Sequence, residues 1–337
     1  MKNTILLATL LCVMGLNSQE VDTTSITKNE YPYVLPILGK KAYEKGYTLP
    51  LPFSASIGTI FNKQGIILEN FRMAFTQGDE IPDFERLDPI SELIQFGPSQ
   101  GRINTLFGRI EAWVLPFISV GGYYGKVWGK QTITLLEPIA IESNTDINGQ
   151  YYGINLVGVI PVGPVILQGD YSWSWTTNER LDKPVKVRVS GMRVMKRFVS
   201  KTNPSKFWAV WAGAQYQNLE GTTSGKIGLG EALDLTPEDI EEFDQQWEEY
   251  TMSPEWDALS LAEKTKATTA YNIIRNAATN LEDTTVYYQF DKRLEFEWNM
   301  VIGGTYVFNK HWAIRGEYGL LKSKQSLMFQ VAYNFGL

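Results

Sequence analysis

The chain has 337 residues, of which 31 are Lys or Arg and 37 are Asp or Glu, giving a formal net charge of -6 at pH 7. This acidic balance disfavours nucleic acid as a partner, because proteins that bind nucleic acid present basic surfaces. The single cysteine, Cys12, excludes a disulfide framework within the chain and a thiolate metal site.

The first residues have the pattern of a secretory signal peptide. Lys2 precedes an apolar run over residues 5–16, which is too short to cross a bilayer as a helix. We expect residues 1–18 to be removed by cleavage; lipidation of Cys12 is the less favoured alternative. The next segment, 19–50, contains three prolines and is predicted to form an irregular arm.

From residue 51 onward the main signal is an alternation of apolar and polar residues. In PVILQGDYSWSWT, residues 164–176, Val165, Leu167 and Trp173 share one side, and Asp170 lies on the other. Such a period of two predicts strands with one apolar and one polar face. Eleven segments of this kind are predicted: 53–62, 65–75, 102–115, 117–128, 150–161, 164–176, 185–198, 207–219, 294–308, 312–322 and 325–337.

One of these segments is irregular. In 185–198 the apolar residues change sides after Gly191. A β-bulge at that glycine is predicted, because one extra residue restores the register of a strand.

The connections between the predicted strands alternate in length. Short turns and long loops on opposite rims are typical of barrels that cross a membrane. The short turns are 62–65, 115–117, 162–164, 200–206 and 309–310; the long loops are 76–101, 129–149, 177–184 and 220–290.

The last residues, QVAYNFGL, place Val331, Tyr333 and Phe335 on one side of a strand. This ending resembles the C-terminal strand of outer-membrane β-barrel proteins of Gram-negative bacteria, the porin-like barrels, although Leu337 stands where their commonest pattern has Phe. The resemblance concerns the general class and indicates no subfamily. Together with high aromatic content, 13% of the chain, it predicts a protein rich in membrane-facing aromatic side chains.

The resemblance implies an all-β fold, a closed antiparallel transmembrane β-barrel over residues 51–337, located in the outer membrane. The arm 19–50 would then lie in the periplasm or plug the pore. Outer-membrane lipid and lipopolysaccharide are the implied surroundings, and the barrel-assembly machinery would recognise the C-terminal strand. Both chain ends would face the periplasm, which requires an even number of strands. We therefore predict about 12 strands, the missing one within 40–53; threading of the arm through the lumen is the alternative.

The connection 220–290 carries the predicted helices. Pro237 suits the first helical position, and Phe243 and Trp247 recur at helical spacing. A second start is predicted at Ser253, whose side chain can cap a helix. Counting back from the last strand places this helical insertion in an extracellular loop. Its acidic residues indicate either a solvated face or a lid over the pore mouth: Glu238, Asp239, Glu241, Glu242, Asp244, Glu248 and Glu249.

Catalytic groups are poorly supplied. The single histidine, His311, follows the short turn at 309–310, away from the loops, so Ser-His and Asp-His mechanisms lack a placed general base. No phosphate-binding loop appears, and no oxygen-ligand loop has the spacing of a calcium site. We expect no enzymatic activity, no cofactor and no metal.

Charged residues on the predicted inner faces indicate a function in the lumen. If the apolar faces meet lipid, these residues project inward, where charges line water or pair across a closed core. The leading interpretation is a passive channel for small solutes; the alternative is a non-conducting structural or surface-interaction barrel that acts through its acidic helical loop. The candidate lumen-lining residues are Arg109, Glu111, Asp170, Lys186, Arg188, Glu295, Glu297, Arg315 and Glu317.

Overall fold

The structure, a computed structural model, describes residues 31–77, 81–87, 95–137, 141–178, 181–228, 237–279, 284–321 and 324–337. The predicted signal peptide, 1–18, lies outside these residues. The strands are β1 Phe53–Gln77, β2 Gln95–Phe96, β3 Ser99–Leu115, β4 Ile118–Glu137, β5 Ile141–Val162, β6 Val165–Thr176, β7 Val185–Val199, β8 Phe207–Glu220, β9 Thr222–Gly228, β10 Thr284–Leu294, β11 Trp298–Val307, β12 Trp312–Leu321 and β13 Lys324–Phe335. The helices are α1 Gly39–Glu44, a 3-10 turn Phe84–Arg86, α2 Pro237–Thr251, α3 Pro254–Ala258 and α4 Leu261–Thr279.

Ten strands form a closed antiparallel barrel in the order β1, β3, β4, β5, β6, β7, β8, β11, β12, β13, with β13 returning to β1. The closing pair runs from Phe53 opposite Phe335 to Gln64 opposite Lys324. The predicted all-β closed antiparallel barrel is therefore confirmed. The strand number is ten, not about twelve, and β9 and β10 lie outside the ring as a ribbon beside the outer half of β1.

The predicted turn at 62–65 is wrong, because β1 runs through these residues without a break. Asn62 is paired with Ser326 on one side and Ile103 on the other. Asn62 and Gln64 are polar because they line the interior of the barrel, not because the chain turns there. Joining the two predicted strands reduces eleven to ten. The twelfth strand predicted within 40–53 is also wrong: α1 occupies its first part.

Two other predictions fail for one shared reason. The predicted loop 129–149 consists largely of strand, since β4 and β5 stay paired out to Leu135 opposite Ile141. The predicted bulge at Gly191 is absent, since the register of β6 with β7 shows no shift. In both places the apolar side of the strand changes from the outer to the inner face, while the backbone ladder continues.

This polarity inversion is clearest on β7. Near the short turns Met192 faces outward, 69% exposed, and Arg193 faces inward, 4% exposed. Toward the long-loop end Val187 and Val189 line the interior, and Arg188 is exposed on the outer face. The lower barrel thus has an apolar outside, as a lipid-facing wall requires. The upper barrel has a polar outside and an apolar inside, as a water-soluble wall requires.

The apolar belt of the lower barrel is bordered by aromatic pairs. Trp298 and Tyr216 lie 5.2 Å apart, between ring centroids, at its upper edge. Trp208 and Tyr306, 4.9 Å apart, lie near the short turns. Between them on β11 stands Ile302, 46% exposed. Aromatic girdles that flank an apolar band are the signature of a transmembrane barrel.

The N-terminal arm packs at the short-turn end of the barrel. The backbone amide of Ile37 donates to the carbonyl of Val114, and that of Trp113 donates to Pro52, both at 2.8 Å. The ring of Tyr47 packs edge-on against Phe117. The arm is therefore tied to the ends of β3 and β4 through residues just after and within the predicted segment 19–50.

The helical insertion contains α2, α3 and α4, one helix more than predicted. The second start at Ser253 is confirmed, since its side chain accepts from the amide of Trp256 at 3.2 Å. The helix stops at α3, however, and α4 begins with a new capping box: the amide of Ser260 donates to Glu263 at 2.7 Å and the amide of Glu263 to Ser260 at 3.3 Å. Among the described helices, none combines the length and apolarity that a membrane crossing needs.

An aromatic cluster joins the helices to one another. Tyr271 of α4 stacks on Trp247 of α2 at 4.5 Å and on Phe243 at 5.4 Å. Asp244 accepts hydrogen bonds from Tyr271 at 2.7 Å and from Arg275 at 3.1 Å. Desolvation acts to raise the pKa of Asp244, but these two donors outweigh it and lower the pKa. The insertion thus has a small core of its own.

Candidate functional site

A cavity of about 530 Å³ occupies the barrel interior, with side chains from the barrel strands and from β9 and β10 around it. We call it the upper cavity, because much of its wall belongs to the part of the barrel above the apolar belt. This part of the wall is apolar, as the polarity inversion requires. Its apolar residues include Ile66, Met73, Ile103, Val127, Ile133, Ile147, Val185, Val187, Val189, Leu219 and Val286.

A three-stranded ribbon, formed by the outer half of β1 with β10 and β9, closes one side of the upper cavity. Its inner face carries a buried cluster in which Phe71 stacks on Phe290 at 5.6 Å, and Ile133 of β4 packs against this cluster. Its outer face is polar, with Arg293 paired to Glu69 at 2.8 Å. Because that face is charged, the ribbon lies outside the apolar belt.

The ribbon bends where β1 departs from regular pairing. The register of β1 with β10 shifts between Glu69 and Arg72, and Asn70 has φ 53°, in the left-handed region. The side-chain amide of Asn70 donates to Asp291 at 2.7 Å, which holds this conformation. A bulge of this kind increases the local bend of a strand. It turns Phe71 and Met73 toward the cavity, which both residues line.

The floor of the cavity is a layer of paired charges, which we call the ionic layer: Asp170, Arg193, Arg315 and Glu317. Arg193 of β7 donates to both carboxylate oxygens of Glu317 of β12, at 2.7 and 2.8 Å, and also pairs with Asp170 of β6. Since β8 and β11 separate β7 from β12 in the ring, these bonds cross the lumen. Trp211 donates its indole N–H to Glu317 at 2.7 Å, so the carboxylate is held from two directions.

Two further charged residues stand beside the ionic layer. Arg109 donates to Glu111 at 2.6 Å, and Asn155 donates to the same carboxylate at 3.4 Å. Arg315 lies 4.6 Å above the ring of Trp211 and 3.5 Å from Glu317. The carboxylates of this region all have cationic partners, as buried carboxylates need.

Two lysines enter the cavity wall on the side of the ribbon. Lys292 of β10 donates to the amide oxygen of Gln131 at 2.9 Å; it lies outside the ten membrane-spanning strands, and burial lowers its pKa to about 8. Lys324, the first residue of β13, is 2% exposed, and its ammonium has no hydrogen-bond partner among the described residues. The arginines of the ionic layer are paired with its carboxylates, whereas these two lysines are not.

The structure brings five of the predicted lumen-lining residues together and places the others elsewhere. Arg109, Glu111, Asp170, Arg315 and Glu317 lie on inner faces at or beside the floor of the cavity. Lys186 and Arg188 lie on the outer face, because β7 has inverted polarity there; Arg188 pairs with Glu220 at 2.6 Å.

Glu295 and Glu297 are also corrected. The predicted strand 294–308 begins only at Trp298, so both glutamates lie in the bend that joins β10 to β11. Glu295 is exposed, and its amide donates to Gly65 at 3.1 Å. The carbonyl of Glu297 accepts from the backbone amide of Gln217 at 2.8 Å. Neither residue forms part of the ionic layer.

The predictions from sequence omit Arg193, Trp211, Lys292 and Lys324. Arg193 follows Gly191, where the assumed bulge obscured which residues share the inner face. Lys292 and Lys324 stand outside or at the margin of the predicted strands. Recognising that polarity inverts along β7 would have placed Arg193 inside, because Met192 and Val194 flank it with apolar, outward-facing side chains.

The described acidic side chains of the helical insertion make no recorded contact with the ionic layer. Asp244 is paired with Arg275 at 3.0 Å. Glu241, Glu242, Glu248 and Glu249 are exposed, and the side chains of Glu238 and Asp239 lie outside what the structure describes. Nowhere in the described ranges do three His, Cys, Asp or Glu side chains group so as to hold a metal ion.

No protein-family model matches the chain, and no curated protein matches it in sequence. Among solved structures it is similar to the β domain of the Bordetella autotransporter BrkA, at 6% identity over 85% of this chain and 100% of that one, TM-score 0.37. It is similar to the translocator domain of the autotransporter NalP from Neisseria meningitidis, at 12% identity over 88% and 93%, TM-score 0.33. It is also similar to an outer-membrane channel from Pseudomonas putida F1, at 8% identity over 86% and 97%, TM-score 0.28.

The closed antiparallel ring and its apolar outer belt give the chain the architecture of a membrane-spanning β-barrel. No subfamily follows from the likeness.

Proposed function

We propose that this outer-membrane barrel is a passive channel that admits small solutes through the upper cavity, with the ionic layer as its restriction. The observation that carries the proposal is the cavity of about 530 Å³ inside the closed ring. Sites for small molecules commonly have volumes of about 300–1,000 Å³. We assign the barrel no covalent chemistry, no cofactor and no energy source.

The ionic layer supports a narrow rather than a wide passage. Arg193 of β7 and Glu317 of β12, which are three positions apart in the ring, are joined across part of the lumen by two hydrogen bonds, so a solute passes only where these side chains part or move aside. Rings of fixed charge at a constriction control which ions and molecules pass a pore. The layer therefore is the expected place of both gating and selectivity.

Opening the ionic layer is expected to raise conductance. Arg193→Ala combined with Glu317→Ala removes both partners of the cross-lumen bond, and we expect single-channel conductance in planar bilayers to increase by about twofold or more, because charged constrictions limit flow. The matched control is Arg188→Ala with Glu220→Ala, an Arg–Glu pair between the same strand and β8 whose arginine is half exposed. We expect that control to conduct as the wild-type protein does.

A non-conducting surface-interaction barrel is the second candidate, and one observation favours it: the helical insertion has its own aromatic core and exposes Glu241, Glu242, Glu248 and Glu249. Replacing residues 229–283 by a short Gly-Ser linker separates the two functions. The channel proposal expects conductance steps to persist. A bilayer that stays silent with the wild-type chain, the ionic-layer double variant and the loop deletion would instead support the non-conducting barrel.

Export is part of the same proposal. We propose that residues 1–18 are a signal peptide removed on the way to the outer membrane, where lipid and lipopolysaccharide surround the barrel after the barrel-assembly machinery inserts it. The apolar run of 5–16 supports this, since signal peptides carry such a core. N-terminal sequencing of protein recovered from the outer-membrane fraction is expected to begin close to residue 19. An intact Met1 on that protein would refute cleavage.

A further inference from the structure

We propose that the upper cavity binds an amphipathic monocarboxylate, with its carboxylate at Lys324 and its apolar body against the apolar wall of the cavity. This inference rests on the proposed function, because it names the class of solute that the channel would take. A long-chain or aryl-substituted carboxylic acid has the required chemistry, one anionic end and one hydrocarbon end.

The first argument is the state of Lys324. Its side chain is 2% exposed and lines the cavity, yet its ammonium has no hydrogen-bond partner in the described part of the chain. An ionised group buried without a partner is costly, so the arrangement needs an anion or water at that position. Glu297 attracts this ammonium through its charge but accepts no hydrogen bond from it.

The second argument is that a further cation lies along the same edge of β1. Lys324 stands opposite Gln64, and Lys292 stands opposite Leu68. At about 3.3 Å per residue, the four positions between these partners span roughly 13 Å. Both lysines line the cavity. The ribbon side of the cavity is therefore positive, and a carboxylate entering it meets a favourable potential along its path.

The third argument is that the carboxylates lining the cavity are paired, whereas its two lysines are not paired with carboxylates. The carboxylates of the floor, Asp170 and Glu317, are both paired with Arg193, so they offer little to a cationic ligand. The charged side chains of the cavity wall that remain available to a ligand are therefore the lysines. Most of the remaining upper wall is hydrocarbon, including Val185, Val187 and Leu219. A small inorganic anion would leave that wall in contact with water, whereas a hydrocarbon tail covers it and gains by the hydrophobic effect.

The test compares two probes of equal chain length, octanoate and octan-1-ol, on the refolded full chain in lipid nanodiscs by titration calorimetry, with empty nanodiscs subtracted. We expect Lys324→Met to weaken octanoate binding by about tenfold or more, because the carboxylate loses its partner, and to change octan-1-ol binding by less than about twofold. Lys324→Arg is expected to keep octanoate binding within about threefold of wild type, because the positive charge remains.

Three controls make the result specific. Lys310→Met, at an exposed short turn, is expected to bind both probes normally. Val187→Trp fills the apolar wall and is expected to weaken both probes. Lys324→Gln is a second neutral variant for use if Lys324→Met fails to show the heat-modifiable migration of a folded barrel.

Several outcomes would overturn the inference: wild-type protein that does not bind octanoate, folded Lys324 variants that bind it normally, or variants that lose both probes equally. Sugar flux into liposomes is measured separately. Sugar flux without octanoate binding would refute the carboxylate site, while the channel proposal would stand. Octanoate binding without sugar flux would refute the channel proposal, while the carboxylate site would stand.

Discussion

Arg193→Met is expected to lower the free energy of unfolding by about 3–5 kcal/mol, the usual result of removing one partner from a buried ion pair. Arg193 is 4% exposed and holds Glu317 through two hydrogen bonds, at 2.7 and 2.8 Å, as well as Asp170. Its loss leaves two carboxylates with reduced compensation inside the barrel. Urea unfolding of the barrel in lipid vesicles, followed by tryptophan fluorescence, measures the change.

The control for this prediction is Arg188→Met on the outer face of the same strand. Its guanidinium is half exposed and pairs with Glu220, so its loss is expected to change the free energy of unfolding by about 0–1 kcal/mol. Removing both partners, with Arg193→Met and Glu317→Met together, is expected to cost less than the sum of the two single changes, because the residues interact directly. Additive losses would mean that the cross-lumen bond contributes nothing.

Ile302→Arg is expected to lower the free energy of unfolding in lipid by about 2–4 kcal/mol, because it places a charge at mid-depth on the lipid-facing wall. Ile302 stands between Trp298 and Tyr306 on β11, 46% exposed. The same urea titration measures the effect. We expect Ile302→Arg to lower the free energy of unfolding more in lipid vesicles than in detergent, because water reaches the protein surface more readily in detergent.

The matched control is Gln150→Arg on β5, at an exposed position above the apolar belt. An arginine there stays in water, so we expect a change within about 0.5 kcal/mol. If both variants lost the same stability, the boundary of the belt would be misplaced. If neither lost any, the outer wall would not face lipid.

The lower barrel was predictable from sequence for a physical reason. Within the belt most outward side chains are apolar and the inward ones are free to be polar, so strands such as β6 and β11 show the alternation plainly. Where the barrel rises out of the belt, the same backbone obeys the opposite rule. The loop predicted at 129–149 and the bulge predicted at Gly191 both come from applying one rule over the whole length of a strand.

The ionic layer was only partly predictable. Alternation places Asp170 and Glu317 on inner faces, but it does not say what they bind. Arg193 and Glu317 are 124 positions apart in the sequence, and they meet because β8 pairs with β11 and the curvature of the wall then turns the inner faces of β7 and β12 toward each other. The same limit applies to Lys324. Its place in the cavity wall depends on where β13 begins and on its register opposite Gln64 of β1, which alternation does not predict.

The length of β1 constrains how the upper cavity can admit anything. Its inner half, Phe53 to Gln64, seals the ring against β13, and its outer half, Ile66 to Gln77, is hydrogen-bonded to β10. The single strand β1 is thus both a strand of the barrel and the first strand of the ribbon. The ribbon is held at both margins, because β1 continues into the ring and, on the other side, the backbone amide of Asp182 donates to the carbonyl of Ser224 in β9 at 3.1 Å. If the barrel conducts as proposed, we therefore expect solutes to pass by rearrangement of side chains in the cavity rather than under a moving ribbon.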